Sequence, residues 1–332
     1  MSLKSSNVSK HRSSLLTWLE FRLFTLVEFS LSRMPVSWAY RFVESLLRLL
    51  FQIVPRYRQR TIANLDVAYG NNLTVLEKKQ LFRRYLRYLA WFFADVVMSP
   101  RLLKKSDYLA RVDCREAIAL FQKLGAREKT GVVVIASHQG APDVMALALG
   151  ANGWPLTAVA RPLDNPRLDQ HLNEQRHSFD SGRLPKHGAL FPAQRLLRQK
   201  AMVGFQIDQD AGPTGIFVPY FGKLASTHAG AATLAILNKV PVVVLHCIRT
   251  RPRSFEFKIF AETVELPSED LPRNELILDL TVRMTNALEV MARGYPEQVM
   301  WGHRRWKTRP VYDPARESKE KRQSGELISA GR

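Results

Sequence analysis

The sequence is poor in cysteine, and this limits the kinds of site it can build. Cys114 and Cys247 are its only cysteines among 332 residues, too few for a disulfide framework or a paired-cysteine metal site. We therefore expect a protein of a reducing compartment that binds no metal ion. The chain also has no Gly-x-Ser-x-Gly motif, and neither cysteine has an obvious base beside it. A covalent acyl-enzyme on serine or cysteine is therefore not indicated.

Long uncharged apolar runs are also missing. Residues 13–54 are rich in apolar and aromatic side chains, but Glu20, Arg22 and Glu28 interrupt them. No run approaches the roughly 18 residues expected of a simple membrane span. The polar start of the chain shows no cleavable signal sequence.

Apolar residues after Pro35 recur at helical spacing instead. They form a single stripe, which consists of Trp38, Phe42, Leu46, Leu49 and Ile53. A basic, aromatic-rich amphipathic segment of this kind is typical of a helix that lies in a membrane interface. The alternative is a pair of core helices in a soluble domain. We expect residues 1–60 to form an N-terminal membrane-associating helical segment, an amphipathic anchor.

Acidic residues are scarce relative to basic ones. The chain has 49 Lys and Arg against 30 Asp and Glu, a formal net charge of +19 and an isoelectric point near 10.2. Such an excess attracts polyanions, which include nucleic acids, anionic membrane surfaces, phosphorylated substrates and acidic partner proteins. The net charge therefore favours negatively charged partners, although it does not indicate the fold.

From residue 131 onward, strand and helix patterns alternate. The predicted strands are 131–136, 155–160, 201–207, 242–247 and 255–260, and three of them are nearly continuous apolar runs. Helical patterns cover about 143–151, 166–178, 189–199, 228–238 and 273–293. This alternation predicts an α/β fold with a mixed, largely parallel central sheet flanked by helices. We expect residues 61–310 to form one catalytic domain and residues 311–332 to form a polar, disordered tail.

Residues 60–125, which precede the first long strand, have a helical pattern. Their apolar stripe consists of Leu76, Leu81, Tyr85, Leu89, Phe92 and Val96. Arg83, Arg84 and Arg87 accompany the stripe and are expected on a solvated face.

The segment SHQGAPD, residues 137–143, directly follows the predicted strand 131–136. His138 therefore lies at the carboxyl end of a strand, where open α/β sheets place their sites. Asp143 falls in the first turn of the next helix and can orient the imidazole as a base. Roughly 0.7 His-x-x-x-x-acid matches are expected by chance in this composition, so a structural histidine beside a capping aspartate is the alternative. Without a local protein nucleophile, the substrate itself must supply one, for example a hydroxyl group.

Two other groups of residues have an ambiguous pattern. His246 and Cys247 end an apolar strand, and a buried core pair is favoured over a metal site because no third ligand is visible. Four cations, Arg304, Arg305, Lys307 and Arg309, alternate with Trp301 and Trp306 near the end of the predicted domain. Nucleic-acid-binding proteins also combine basic and aromatic residues, but the residues alone favour a solvated helix end.

The order of several sequence blocks resembles a known family. The strand–SHxGxxD–helix unit resembles the His-x-x-x-x-Asp/Glu motif of glycerolipid and lipid A acyltransferases. PEQVMWGHRRWKTRP (296–310) is similar to the C-terminal signature of the lipid A late acyltransferases, the lauroyl and myristoyl transferases. The intervening blocks also resemble that family, namely RQRTIANLDVAYG (58–70), ARPLDNPRLD (160–169), EQRHSFDSG (174–182), QIDQDAG (206–212) and FVPYFGKLAST (217–227).

This resemblance implies a glycerolipid acyltransferase-like fold and a role for particular residues. His138 would be the general base that deprotonates a lipid hydroxyl, and Asp143 would orient it. Arg161 and Arg176 would contact phosphate or the thioester oxyanion, and Asp208 would be a positioning residue. Most members have Glu where this chain has Asp143, which leaves the identity of the acceptor open.

The resemblance also implies the partners. The donor would be acyl carrier protein, which is acidic, and the acceptor a phosphorylated lipid A precursor that Arg304 and Arg305 help to bind. No cofactor and no nucleic acid are expected, and the protein would act at an anionic membrane surface, on the cytoplasmic face of a bacterial inner membrane. Two alternatives remain: an acyltransferase of this fold with another glycolipid or lysophospholipid acceptor, and a non-catalytic basic protein that binds membranes or nucleic acid.

Overall fold

The computed structural model describes residues 13–53, 55–268 and 270–310. The strands are β1 (Val112–Asp113), β2 (Val132–Ala136), β3 (Leu156–Ala160), β4 (Gly182–Pro185), β5 (Met202–Gln206), β6 (Ile216–Tyr220), β7 (Lys223–Thr227), β8 (Val242–Arg249) and β9 (Phe257–Val264). Within the described residues they form a seven-stranded sheet in the order β1-β9-β8-β2-β5-β3-β4 and a separate β6-β7 hairpin. Neighbouring strands of the large sheet are parallel except β8 and β9. The predicted α/β class with a largely parallel sheet is therefore confirmed.

Helices cover both faces of this sheet. They are α1 (Ser14–Arg33), α2 (Val36–Ile53), α3 (Pro55–Tyr69), α4 (Val75–Leu102), α5 (Ser106–Leu109), α6 (Arg115–Leu124), α7 (Pro142–Ala151), α8 (Pro166–His177), α9 (Leu190–Arg198), α10 (Gly230–Asn238) and α11 (Arg273–Gly294). Val132 and Val134 of β2 pack in one core with α4, α6 and α7. Val133 and Ile135 pack in a second core with α9, α10 and α11. Because successive side chains of a strand point to opposite faces, a fully apolar strand supplies both cores.

The β6-β7 hairpin was not predicted as a pair of strands. Its turn, Phe221–Gly222, lies within the apolar segment 217–222, and both residues have a positive φ of 52° and 69°. Two consecutive residues with positive φ make a tight hairpin connection that matches the twist of the strands. Phe221 at the first turn position conceals the signal, since glycine or asparagine is the usual residue there.

The long helix α4 begins at a capping box. Thr74 accepts a hydrogen bond from the backbone of Glu77, and the Glu77 side chain accepts one from the backbone of Thr74. Of the predicted stripe, Leu81, Tyr85 and Leu89 are buried, whereas Leu76 in the first turn is exposed. The stripe therefore faces the core from the second turn onward.

Helix α1 uses the charges that interrupt its apolar sequence to contact α8. Glu28 lies 2.9 Å from His171 Nε2, and Glu20 accepts a hydrogen bond of 2.9 Å from Asn165. Much of the remaining surface of α1 is apolar and exposed, at Leu15, Trp18, Leu19, Leu23 and Leu26 among others.

The apolar stripe predicted for α2 is also exposed. Trp38 is 68% exposed and Phe42 is 51% exposed, and Leu46 and Leu49 lie on the same face; the side chain of Ile53 lies outside the described residues. Among the described residues, no helix combines the length and apolarity needed to cross a membrane. Residues 311–332, predicted as a tail, lie outside the described part of the chain, and α3 runs across residue 60, the predicted boundary.

Candidate active site

The sheet register brings His138 and Asp208 together. Ala136 at the end of β2 pairs with Gln206 at the end of β5, and each functional residue follows two positions later. The Nδ1 atom of His138 lies 2.8 Å from Oδ1 of Asp208, and the backbone N–H of His138 donates a 2.8 Å hydrogen bond to Oδ2. One carboxylate therefore holds both the backbone and the ring of His138.

The loop after His138 is pinned against β8. The N–H of Gly140 donates to the carbonyl of Gln298 at 3.0 Å, and that of Ala141 donates to the carbonyl of Cys247 at 2.8 Å. Gly140 has a φ of +67°, and a Cβ at this position would clash with the Cys247 carbonyl oxygen. Only glycine fits both the backbone conformation and the close approach.

Asp143 lies in the first turn of α7, as predicted, but its side chain is bonded elsewhere. Its Oδ1 accepts a 3.0 Å hydrogen bond from Nη2 of Arg176 in α8. The sequence predicted that Asp143 would orient the imidazole. Among the described residues, Asp208 makes the hydrogen bond to the ring instead. Asp143 is still near enough to help raise the pKa of His138.

The neighbouring carboxylates raise the pKa of His138. Burial alone would lower the pKa of His138, but the attraction and hydrogen bond of Asp208, and a weaker attraction from Asp143, raise it above the ordinary value of 6.5. Burial would likewise raise the pKa of Asp208, but its interactions with His138 and His303 lower it to about 2. An ionised Asp208 stabilises a proton on Nδ1 and leaves Nε2 as the basic nitrogen. Nε2 lies 3.2 Å from the amide nitrogen of Gln209.

A second histidine, His303, belongs to the same site and was missed in the sequence analysis. Its ring meets the ring of His138 edge-on, with centroids 4.7 Å apart. Burial and the neighbouring His138 lower the pKa of His303 to about 4, so its imidazole is neutral near pH 7. Asn64 donates hydrogen bonds of 2.6 Å to the carbonyls of Trp301 and His303 and so fixes this segment. His303 is the first residue of the block HRRWKTRP. Only the four cations of this block were considered as candidate binding residues.

Ligand atoms of His138, Asp208 and His303 lie within 4.8 Å of one another, a spacing that a metal ion could bridge. Nδ1 of His138 is already hydrogen-bonded to Asp208. In this structure His138 is a hydrogen-bonded base, and His303 is a neighbouring imidazole.

Arg305 is buried, and its terminal nitrogens are bound by protein acceptors. They donate to the carbonyl of Ser226 at 2.6 Å, to Thr227 Oγ1 at 2.7 Å and to the carbonyl of Gln209 at 3.3 Å. Its guanidinium also lies over the ring of Tyr220. Arg305 thereby ties the β6-β7 hairpin to the loop that carries Asp208.

The other predicted binding arginines are more accessible. Arg304 is exposed, and Arg161, also exposed, follows β3 at the same sheet edge and pairs with Asp164. Arg176 is half-buried beside Asp143. His246 and Cys247 are both buried, as predicted for a core pair, and burial lowers the pKa of His246 to about 4.

A small cavity of about 20 Å³ lies beside His138 and Gly140. Its aromatic and aliphatic lining consists of Tyr85, Tyr88, Leu89, Phe92, Phe257, Val299 and Met300. The lining also includes Asp95 and Arg249, a buried ion pair that contacts Tyr40. The base therefore adjoins a small cavity with a mixed lining, in which aromatic and aliphatic side chains predominate.

Known proteins are similar to this chain over nearly its whole length. The sequence pattern of the family described as bacterial lipid A biosynthesis acyltransferase matches residues 5–308. The chain is similar to the lipid A biosynthesis lauroyltransferase of Escherichia coli (strain K12), with 25% identity over 327 residues, which cover 94% of this chain and 98% of that protein. It is also similar to the lipid A biosynthesis acyltransferase of Haemophilus influenzae, with 24% identity over 254 residues and 74% of each chain covered. The lipid A biosynthesis myristoyltransferase of Escherichia coli (strain K12) is 26% identical over 188 residues, 55% of each chain. Because the match runs from the N-terminal helices to the segment that carries His303, the chain belongs to the bacterial lipid A biosynthesis acyltransferase family.

Proposed function

We propose that this protein transfers a fatty acyl chain from the thioester of acyl carrier protein to a hydroxyl group of a lipid A precursor, at the cytoplasmic face of a bacterial inner membrane. Family membership supports acyl transfer to an acceptor of the lipid A type. The observation that carries the proposal is the His138–Asp208 pair, because it leaves one imidazole nitrogen basic at the carboxyl end of the sheet.

In the proposed reaction, Nε2 of His138 takes the proton of the acceptor hydroxyl as its oxygen attacks the thioester carbonyl carbon. The C–O bond forms, and the carbonyl electrons move to the oxygen of a tetrahedral intermediate. This intermediate collapses, breaks the C–S bond and expels the donor as a thiolate, which receives the proton from His138. No acyl-enzyme forms, and His138 returns to its starting state.

Asp208 and Asp143 have different tasks in this proposal. Asp208 holds Nδ1–H, fixes the ring orientation and stabilises the imidazolium that forms during attack. Asp143 adds a second negative charge and positions Arg176 at 3.0 Å. Arg176 and Arg161 are proposed to contact phosphate or the developing oxyanion, since a guanidinium fork matches both.

His303 is proposed to support the oxyanion as a neutral hydrogen-bond donor. A low pKa keeps the ring uncharged, so it does not repel the imidazolium of His138 during the reaction. The aromatic and aliphatic side chains around the small cavity beside His138 are proposed to exclude bulk water from the thioester.

The exposed apolar faces of α1 and α2 are proposed to lie in the membrane interface. Two neighbouring helices with apolar exposed faces and a strongly basic chain fit the surface of an anionic bilayer. This placement would bring a lipid acceptor to the enzyme without its leaving the membrane.

The test is acyl transfer from acyl carrier protein to a lipid A precursor by the purified protein, with the product identified by mass spectrometry. Loss of thioester together with an acceptor heavier by one acyl group is the expected result. Thioester hydrolysis without acceptor acylation, or acylation of a lysophospholipid in preference to the lipid A precursor, would contradict the proposed acceptor.

A further inference from the structure

Helices α2, α3 and α4 enclose a second cavity, here named the α2–α4 cleft. Its volume is about 600 Å³. The cationic side chains that line it are Arg48, Arg58, Lys79, Arg83, Arg87 and Arg253. The apolar ones are Phe51, Pro55, Ile62, Phe82 and Leu86. Arg83 and Arg87 are exposed, as predicted, and they share this cavity with cations from two other helices.

The positive charge of the α2–α4 cleft is not balanced by the protein. Glu44, the carboxylate in its lining, is buried and already accepts hydrogen bonds from Trp91 at 2.5 Å and from Arg253 at 2.8 and 3.0 Å. Within the described part of the chain, none of the other five cations of the cleft forms a salt bridge. Like charges around one cavity repel each other, and a bound anion would relieve this repulsion. Phosphate fits best, because guanidinium groups bind it through paired hydrogen bonds.

The apolar side chains of the α2–α4 cleft indicate more than a free anion. Phe82 is buried, and Phe51, Ile62 and Leu86 are half-buried beneath the exposed cations. A cavity with a charged rim and an apolar floor complements an amphiphile, whose headgroup meets the rim and whose chains meet the floor. A convex, acidic protein surface would reach the rim but would leave the floor empty.

The position of the α2–α4 cleft also fits a lipid. Helix α2 contributes Glu44, Arg48 and Phe51 to the cleft, and the same helix carries the exposed Trp38 and Phe42 on another face. The cleft and the cavity beside His138 share no lining residue, although α4 lines both. The cleft is therefore distinct from the cavity beside His138, and it lies on the helix that also carries the exposed apolar face.

We propose that the α2–α4 cleft binds the phosphate-bearing headgroup of a membrane lipid, with the cations on the phosphate and the apolar floor against the start of the acyl chains. The proposal rests on the proposed function only for the orientation of α2 toward the membrane. Two lipids carry this chemistry, the phosphorylated acceptor itself and an anionic phospholipid of the surrounding bilayer.

The first experiment measures binding of dihexanoyl phosphatidic acid, below its micelle concentration, to the full-length protein. The protein carries His138→Ala, so that no chemistry contributes. The cleft variant adds Arg48→Gln, Arg58→Gln and Arg83→Gln, one change in each of α2, α3 and α4. We expect at least roughly tenfold weaker binding, because hydrogen bonds to charged groups are lost.

A matched control variant adds Arg41→Gln, Arg56→Gln and Arg84→Gln instead. These arginines are exposed, lie on the same three helices and do not line the cleft, so the change in net charge is identical. We expect the control to bind like the parent protein. Equal losses in the two variants would mean a general charge effect and would overturn the proposal.

Two further probes test the nature of the ligand. Glycerol 3-phosphate has the phosphate without chains, and dihexanoylglycerol has the chains without phosphate. Both should bind the parent protein much more weakly than dihexanoyl phosphatidic acid. If either one binds as tightly, the cleft is not a site for a phosphorylated amphiphile.

The second experiment distinguishes the two lipid sources in acyl transfer by protein that retains His138. A raised KM for the acceptor in the cleft variant, with kcat retained, identifies the acceptor phosphate as the occupant. An unchanged acceptor KM identifies an anionic phospholipid. Because the binding experiment does not depend on turnover, its failure leaves the proposed function intact, and an inactive protein leaves the binding result intact.

Discussion

The His138 site and the α2–α4 cleft use charge in opposite ways. In the His138 site both carboxylates are paired: Asp208 holds His138, and Asp143 holds Arg176. In the cleft, five cations face a cavity without a carboxylate partner among the described residues. Paired charges in a largely buried site tune a pKa, whereas unpaired exposed cations attract a ligand. The comparison separates a place for proton transfer from a place for binding.

Removal of the base should cause the largest loss of acyl transfer and leave binding at the cleft intact. His138→Ala should lower acyl transfer by about 10²–10⁴-fold, the usual contribution of a positioned general base. Binding of dihexanoyl phosphatidic acid to the cleft should be unchanged. Turnover and binding are measured on the same preparation, and circular dichroism serves as a control for folding. A variant that retains more than about a tenth of the parent turnover would show that His138 is not the base.

Replacement of Asp208 should lower kcat more than replacement of Asp143. Asp208→Asn should lower kcat about 10²-fold, because the ring loses the anion that stabilises its imidazolium. Asp143→Asn should cost less, since Asp143 makes no hydrogen bond to the ring among the described contacts and asparagine still suits the start of a helix. The double variant His138→Ala/Asp208→Asn should be little worse than His138→Ala alone, because the two residues act as one unit. A larger loss from Asp143→Asn than from Asp208→Asn would reverse the assigned roles.

The sheet and its site were predictable to different extents. Continuous apolar strands such as β2 and β8 are visible in sequence because a strand covered on both faces has no polar positions. The location of His138 at a strand end follows from the same pattern. Its hydrogen-bond partner does not, because Asp143 is five residues away in the chain whereas Asp208 is brought close only by the β2-β5 register.

The α2–α4 cleft was not predictable from local spacing. Arg48, Arg58 and Arg83 belong to three helices, and each looks like an ordinary solvated residue within its own helix. Only the packing of those helices places them around one cavity. His303 was missed for a similar reason, since its contact with His138 spans the whole sheet domain in sequence.

Two glycine substitutions test whether the loop after His138 is held rigidly against β8. Gly140→Ala combines a strained positive φ with a clash against the Cys247 carbonyl, whereas Gly188→Ala has the positive φ but open space. Gly188→Ala should cost about 1–2 kcal/mol in the free energy of unfolding, and Gly140→Ala about 1–3 kcal/mol more. Urea unfolding measures both variants. Equal free energies would mean that the loop moves away from β8 at no cost.

The pH dependence of kcat/KM should reflect the raised pKa of His138. A general base must be unprotonated, so activity should fall as the pH decreases through a pKa above 6.5. Asp208→Asn removes the main attraction for the proton and should therefore move this acidic limb to lower pH. Asp143→Asn should move it in the same direction by a smaller amount. An acidic limb that stays in place in Asp208→Asn would show that the limb belongs to another group.

The smallest expected effect concerns the exposed apolar face of α2. Trp38 and Phe42 are exposed on α2, and their burial in a bilayer interface would contribute part of the roughly 1.5–3 kcal/mol available to each large apolar side chain. The double variant Trp38→Ser/Phe42→Ser should therefore bind vesicles of phosphatidylethanolamine and phosphatidylglycerol about tenfold more weakly. Val75→Ser/Leu76→Ser is the matched control, because these residues are as exposed but begin α4. Sedimentation with vesicles measures both variants. If the control loses as much binding as the α2 variant, exposed apolar side chains in general contact the membrane, and the proposed placement of α2 in the bilayer interface is wrong.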